Sequence, residues 1–279
     1  LRRRVTARLY VVACQPIETC RLLLLSTGPR HENGLANRHG LVGKYLIFSA
    51  GGSGIGRLRG KQGTPDGPFL NRALQDWYVI DDPQFGRRAK GGTIDFLFRH
   101  PNPIGRANAQ KWEGDRLLWG RALQDKLKTY FTEGRDLKYE VFCDWLPSDD
   151  GCVALDRHVT DKWGTPVARI RVAPHSQALK VGAYLGAKAR RVLRELGAEP
   201  IEFWNSGAPS TNLVAGGCRF GNDPEKSVLD ADCRAHDVEN LYVTDASFMP
   251  TGGSVPTTWT LYANAFRVAD RIVAQWGKG

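Results

Sequence analysis

The sequence predicts a mixed α/β (α+β) fold, and three stretches carry that expectation. Near the start, Leu9–Ala13 is a run of apolar β-formers, and Ile17–Leu25 follows it with apolar residues on a helical period. Near the end, Asn240–Val273 reads as strand, glycine-containing loop and helix. Between them lie short apolar runs separated by loops, then one long amphipathic stretch, Ala178–Leu196, closed by Gly197.

Taken in order, the first strand and helix meet at a turn over Cys14-Gln15-Pro16. Tyr45–Phe48 reads as a strand. Leu70–Ile80, Gly92–Phe98 and Lys138–Trp145 read as further strands, and Ala122–Phe131 as a short helix. Arg157–Pro166 reads as a turn leading into a strand over Val167–Val172. The aromatics of this region (Trp77, Tyr78, Phe96, Trp112, Trp119, Phe142, Trp145 among them) are expected chiefly to pack. In the last segment Leu241–Val243 is bounded by Asn240 and Asp245, as a short strand would be. Pro256-Thr257-Thr258 is a helix start, and Leu261, Ala265, Val268, Ile272 and Val273 recur at helical spacing. A helix that begins behind a glycine-containing loop offers free N–H groups and a dipole, which favour an anion or cofactor.

Bulk properties narrow the partners. A charged fraction of 24% against 42% hydrophobic is that of a globular chain, and no window approaches the roughly 20 apolar residues of a membrane span. Leu1-Arg-Arg-Arg4 is not followed by the apolar core and cleavage site of a secretory signal. The net charge of +10 comes from scattered Arg and Lys without interleaved aromatics, so solvated faces are expected and nucleic acid is not. The cysteines at 14, 20, 143, 152, 218 and 233 form no Cys-x-x-Cys and do not cluster with histidines, so no metal site is expected.

Gly51-Gly-Ser-Gly-Ile-Gly56 after the Tyr45–Phe48 strand offers an alternative. It is close to the glycine-rich turn of short-chain NAD(P)-dependent dehydrogenases, and Tyr184 and Lys188 supply a pair at i,i+4. Against it, Ala50 stands where that motif's first glycine belongs, and Arg57–Pro68 is no amphipathic helix.

Three blocks resemble the glucose-methanol-choline (GMC) flavin oxidoreductases. The C-terminal run Asp245-Ala-Ser…Pro256-Thr-Thr258 resembles their closing signature, with Val255 where Asn is usual. Gly216-Gly-Cys-Arg-Phe-Gly-Asn-Asp-Pro224…Ser227-Val-Leu-Asp230 resembles a second block. Val11-Val-Ala-Cys-Gln-Pro-Ile-Glu-Thr-Cys-Arg-Leu-Leu-Leu24 resembles a third, with Gln15 for the usual Gly and Cys20 for the usual Pro. Only 13 residues precede Cys14, so the resemblance covers the family's C-terminal half, and the chain is expected to lack the N-terminal dinucleotide-binding unit.

The resemblance implies a partial FAD-binding domain formed from both chain ends, 1–50 and 201–279, with an inserted antiparallel-sheet substrate domain over 51–200. It implies FAD as cofactor, met by Cys14, Asp245, Ala246, Pro256, Thr257 and Thr258. It implies oxidation of a CH–OH group of a sugar or other alcohol by hydride transfer to the flavin, with a quinone or cytochrome subunit as a further partner. The family's histidine base has no counterpart here: Asn212 or Leu213 occupies its place. Asn212, Ser254 and Thr258 are expected to line the flavin face, and His175 (or His158) to serve as base, since a histidine neutral near pH 7 suits that role. A non-catalytic GMC-like subunit is the remaining alternative.

Overall fold

The computed structural model describes residues 4–48, 51–58, 70–86, 88–97, 102–132, 136–205 and 213–277. In chain order its elements are β1 (Tyr10–Val12), α1 (Pro16–Leu25), β2 (Lys44–Ile47), β3 (Gly52–Leu58), β4 (Leu70–Leu74), β5 (Val79–Ile80), β6 (Ala89–Lys90), β7 (Gly92–Leu97), α2 (Pro103–Ala109), β8 (Trp112–Glu113), β9 (Arg116–Leu117), α3 (Gly120–Thr132), β10 (Asp136–Cys143), β11 (Cys152–Thr160), β12 (Pro166–Arg171), α4 (Ser176–Glu195), β13 (Ala198–Asn205), β14 (Ala215–Gly217), β15 (Leu241–Val243) and α5 (Thr258–Trp276). Two compact units result: Leu1–Ala50 with Cys143–Leu179 and Gly207–Gly279, and Gly51–Phe142 with Lys180–Ser206.

In the first unit the two chain ends meet as a parallel pair, with Tyr10 opposite Leu241 and Val12 opposite Val243. A four-stranded sheet of order β12-β11-β2-β14 lies in the same unit. Its core gathers Leu23 of α1, Leu46 and Ile47 of β2, Val153 of β11, Tyr242 and Val243 of β15 and Val268 of α5. Removing these side chains from water is the main stabilising term. Arg21 fixes α1 to the β11–β12 turn, donating from Nη2 to Asp161 at 2.7 Å and from Nε to the Pro166 carbonyl at 2.8 Å. Cys20 and Cys218 face each other in this core with sulfurs 3.9 Å apart, and all six cysteines are free thiols.

The second unit is built on a five-stranded sheet of order β13-β3-β10-β7-β4. β3 pairs antiparallel with both β10 and β13. Here α4 buries Val181, Leu185, Ala189 and Leu193, each one turn beyond the last. Gly182 brings the helix close to the start of β3: a Cβ there would lie 2.4 Å from the Gly51 carbonyl oxygen. Alanine normally gains about 1 kcal/mol over glycine inside a helix, but overlap with a backbone atom costs about 1–3 kcal/mol. Gly182→Ala is therefore expected to lower the unfolding free energy by up to about 2 kcal/mol, read by urea denaturation.

Several expectations are corrected. Gly51–Gly56 forms no phosphate-binding turn; Gly52–Leu58 is a strand inside an antiparallel sheet. Its glycines pair with Val141, Tyr139 and Leu137 on one face of that sheet. Tyr184 packs edge-on against Phe85 with centroids 5.4 Å apart, and Lys188 lies over the Tyr184 and Trp77 rings, so this pair serves packing. Leu70–Ile80 is two strands, β4 and β5, separated by a turn at Asp76–Trp77. The expected Arg157–Pro166 turn shrinks to five residues, because β11 runs on to Thr160 through an irregularity after Leu155. The charged Asp156-Arg157-His158 hid that strand, since its outer end is solvated and shows no alternation. Residues 198–205 do not leave the middle region; β13 pairs with β3, while 143–179 pack with the two chain ends.

Candidate functional site

Parallel pairing of β1 with β15 brings Cys14 and Asp245 to the same end of the pair, the carboxyl end, where open α/β sheets present their ligand sites. One buried side chain, Thr19, joins them. Its hydroxyl accepts from the Cys14 amide at 3.2 Å and donates to Asp245 Oδ2 at 2.5 Å. Asp245 Oδ1 accepts from the Ser247 amide at 2.8 Å and so caps the short 3-10 turn Ala246–Phe248. Gln15 keeps the glycine-like conformation of its position, with φ 67°, and its side chain accepts from the Ile17 amide to start α1. The Cys218 thiol, fully enclosed, is held well above its ordinary value by its hydrogen bond with Cys20 and by burial, so it is no nucleophile here.

The loop before α5 is fixed from below by residues 144 and 145. Gly252 donates to the Trp145 carbonyl at 3.0 Å, and Gly253 donates to Asp144 Oδ1 at 2.9 Å. Trp145 stacks obliquely on Phe48, centroids 5.4 Å apart. A Cβ at Gly252 would lie 2.6 Å from the Phe48 carbonyl oxygen, which is why glycine stands there. Ser254 and Thr257 are buried beneath this loop, whereas Pro256 and Thr258 are exposed. The first turn of α5 carries no side-chain cap from Thr257.

The comparisons with known proteins agree along the chain. Residues 147–265 match the family profile described as GMC oxidoreductase. Over these residues the chain belongs to the GMC oxidoreductase family. A 2-methyl-1,2-propanediol dehydrogenase of Mycolicibacterium austroafricanum is 32% identical over 97% of this chain and 49% of its own length. A 6'''-hydroxyparomomycin C oxidase of Streptomyces lividus is 31% identical over 97% and 46%. The chain thus spans about half the length of the curated relatives it matches. A formate oxidase of Aspergillus oryzae, the subject of a study of FAD modification, shares the fold with a TM-score of 0.61 at 17% identity, covering 96% of this chain and 54% of that one. GMC oxidoreductases are FAD-dependent flavoproteins.

Within this GMC unit, Cys14, Asp245 and Ala246 come together through Thr19, while Ser254, Pro256, Thr257 and Thr258 share the loop and helix start. Asn212 lies outside the described residues. His175 accepts at Nδ1 from the Gln177 amide at 3.1 Å, a contact that starts α4. No described contact joins His175 to Ser254 or Thr258. Thr19, Asp144 and Trp145 were missed from the sequence. Only Thr19 left a trace, as the hydroxyl residue of Ile17-Glu-Thr-Cys20 on the α1 face turned to the core.

Proposed function

We propose that this chain forms the substrate-binding and flavin-facing half of an FAD-dependent GMC oxidoreductase that oxidises a CH–OH group of an alcohol or sugar. The observation that carries this reading is the Asp245–Thr19–Cys14 bridge at the carboxyl end of the parallel pair. Two further features fit a flavin. Thr257 gives the α5 N-terminus no side-chain cap, and Trp145 Nε1 is a buried donor with no partner among the described residues. In this reading Cys14, Asp245, Ala246 and Pro256–Thr258 hold the cofactor. FAD, when bound, supplies the hydride acceptor. The helix start favours negative charge beside it, by its free amides and dipole. The fixed loop over Phe48 and Trp145 excludes water and keeps Ser254 in place. Asn212 would hydrogen-bond the substrate hydroxyl without taking its proton. His175 remains the candidate base, acting from Nε2 because Nδ1 accepts the Gln177 amide.

The names of the relatives, one a dehydrogenase and one an oxidase, differ in electron acceptor, and a quinone or cytochrome partner is the acceptor proposed for this protein. The test is an absorbance spectrum of the protein expressed from its complete reading frame, then turnover of 1,2-propanediol and simple sugars with a soluble quinone or with oxygen. Flavin bands bleached by substrate and restored faster by quinone than by oxygen are expected. Absence of flavin would refute the reading. Bound flavin that no alcohol bleaches would instead favour a non-catalytic GMC-like subunit. His175→Gln is expected to lower kcat by about 100-fold with flavin content unchanged.

A further inference from the structure

Helix α4 turns Val181, Leu185, Ala189 and Leu193 into the core, and the flank beside them lines an open groove. Lys188, Arg191, Val192, Glu195 and Leu196 recur at spacings of three and four, so they share that flank. Trp77, in the turn between β4 and β5, completes the groove, whose volume is about 280 Å³. The turn holds Trp77 in place. Its carbonyl accepts from the Gly92 amide at 3.2 Å, and a Cβ at Gly91 would lie 1.9 Å from that carbonyl oxygen. All six residues belong to the second unit, so the groove is complete within it.

The groove is apolar along its length and cationic at one end. Trp77 and Val192 are half-buried, and Leu196 is 49% exposed with no place in the core. Lys188 and Leu196 are eight residues apart, about 12 Å along the helix. At the Lys188 end, Nζ lies 5.7 Å from the Trp77 ring centroid and 4.7 Å from that of Tyr184, so cation–π attraction orients the ammonium. Arg191 follows one turn on. Among the described residues no carboxylate pairs with Lys188 or Arg191. From Lys188 to Glu195 the helix carries four cations, Lys188, Arg190, Arg191 and Arg194, against one carboxylate. Glu195, beside Leu196, sets a negative charge at the other end. A mostly apolar groove with a few charged groups at one place is the usual make-up of a small-molecule site.

We propose that this groove binds a medium-chain aliphatic carboxylate, head group between Lys188 and Arg191 and chain along Trp77, Val192 and Leu196. Charge complementarity names the occupant. Two cations without a carboxylate of their own take one negative charge, and Glu195 repels a second at the far end, which selects a monocarboxylate over a dicarboxylate. The proposal is independent of the oxidoreductase reading, since no flavin contact enters it.

The test titrates the protein, expressed from its complete reading frame, with octanoate, 1-octanol and octylammonium by calorimetry. Octanoate should bind once per chain and at least about 10-fold more tightly than the other two. The double variant Lys188→Gln/Arg191→Gln should lose at least about 10-fold for octanoate and nothing for octanol. Leu196→Gln should weaken octanoate and octanol alike. All these positions face solvent or the groove, so melting temperatures should stay within about 2 °C of wild type. The proposal is overturned if octanoate does not bind wild type, if octanol or octylammonium binds as tightly, or if the double variant keeps wild-type affinity for octanoate. It is also overturned if wild type without ligand sediments as a dimer that Leu196→Gln dissociates, which would give the groove to a second copy of the chain. The comparison of the three octyl compounds on wild type decides the head-group preference whatever the variants do. Octanoate binding in a protein without flavin would sink the oxidoreductase reading alone; a flavin-loaded protein that ignores octanoate would sink this proposal alone.

Discussion

Asp245→Ala is expected to destabilise the first unit by about 3 kcal/mol, the combined worth of a charge-assisted hydrogen bond and a turn cap. The carboxylate receives the Thr19 hydroxyl at 2.5 Å and the Ser247 amide at 2.8 Å, and alanine removes both acceptors. Thr19 is fully buried, so its hydroxyl proton is left without a partner. Asp245→Asn keeps an acceptor for Ser247 and is expected to cost about half as much. Thr19→Val breaks the same bridge from the other side. In a double-mutant cycle the Thr19→Val and Asp245→Ala losses should overlap by at least about 1 kcal/mol, because the two residues share one contact. Simple additivity in urea unfolding would show that no bridge couples them. In the proposed flavoprotein, flavin occupancy should fall in the order wild type, Asp245→Asn, Asp245→Ala.

Gly43→Ala carries a still larger expected loss. Gly43 sits where three strands cross: its amide donates to the Gly217 carbonyl at 2.7 Å, and its own carbonyl accepts from Val153 at 2.8 Å. Its φ is 87°, a left-handed conformation that costs other L-residues about 1–2 kcal/mol. An added Cβ would lie 2.1 Å from the Val153 carbonyl oxygen, so β11 must move away from β2. With strain and overlap together the loss is about 4 kcal/mol, a large part of the 5–15 kcal/mol that holds a typical domain folded. The variant is expected to melt at least about 10 °C lower or to accumulate as insoluble protein. A melting temperature within about 2 °C of wild type would show that β11 and β2 are not held as described.

The sequence by itself determined the elements whose signals are local. The strand–helix pairs at the two ends, the long helix after His175, and Asp245 with Pro256–Thr258 as the residues beside the C-terminal loop were all legible, because β-runs, helical periods and proline at a helix start act over a few residues. Their likeness to one family was legible for the same reason: short blocks keep their residues where backbone meets backbone. Tertiary structure alone decided three matters. It made Gly52–Leu58 a strand, since glycines that invite a phosphate in one setting here lie between two antiparallel neighbours. It showed Thr19 to be the link between Cys14 and Asp245, a contact across 226 residues that no periodicity reveals. It left Asp95, the one carboxylate of its strand, buried with an oxygen unpaired among the described residues, because burial is set by the neighbouring strands and not by the strand's own residues.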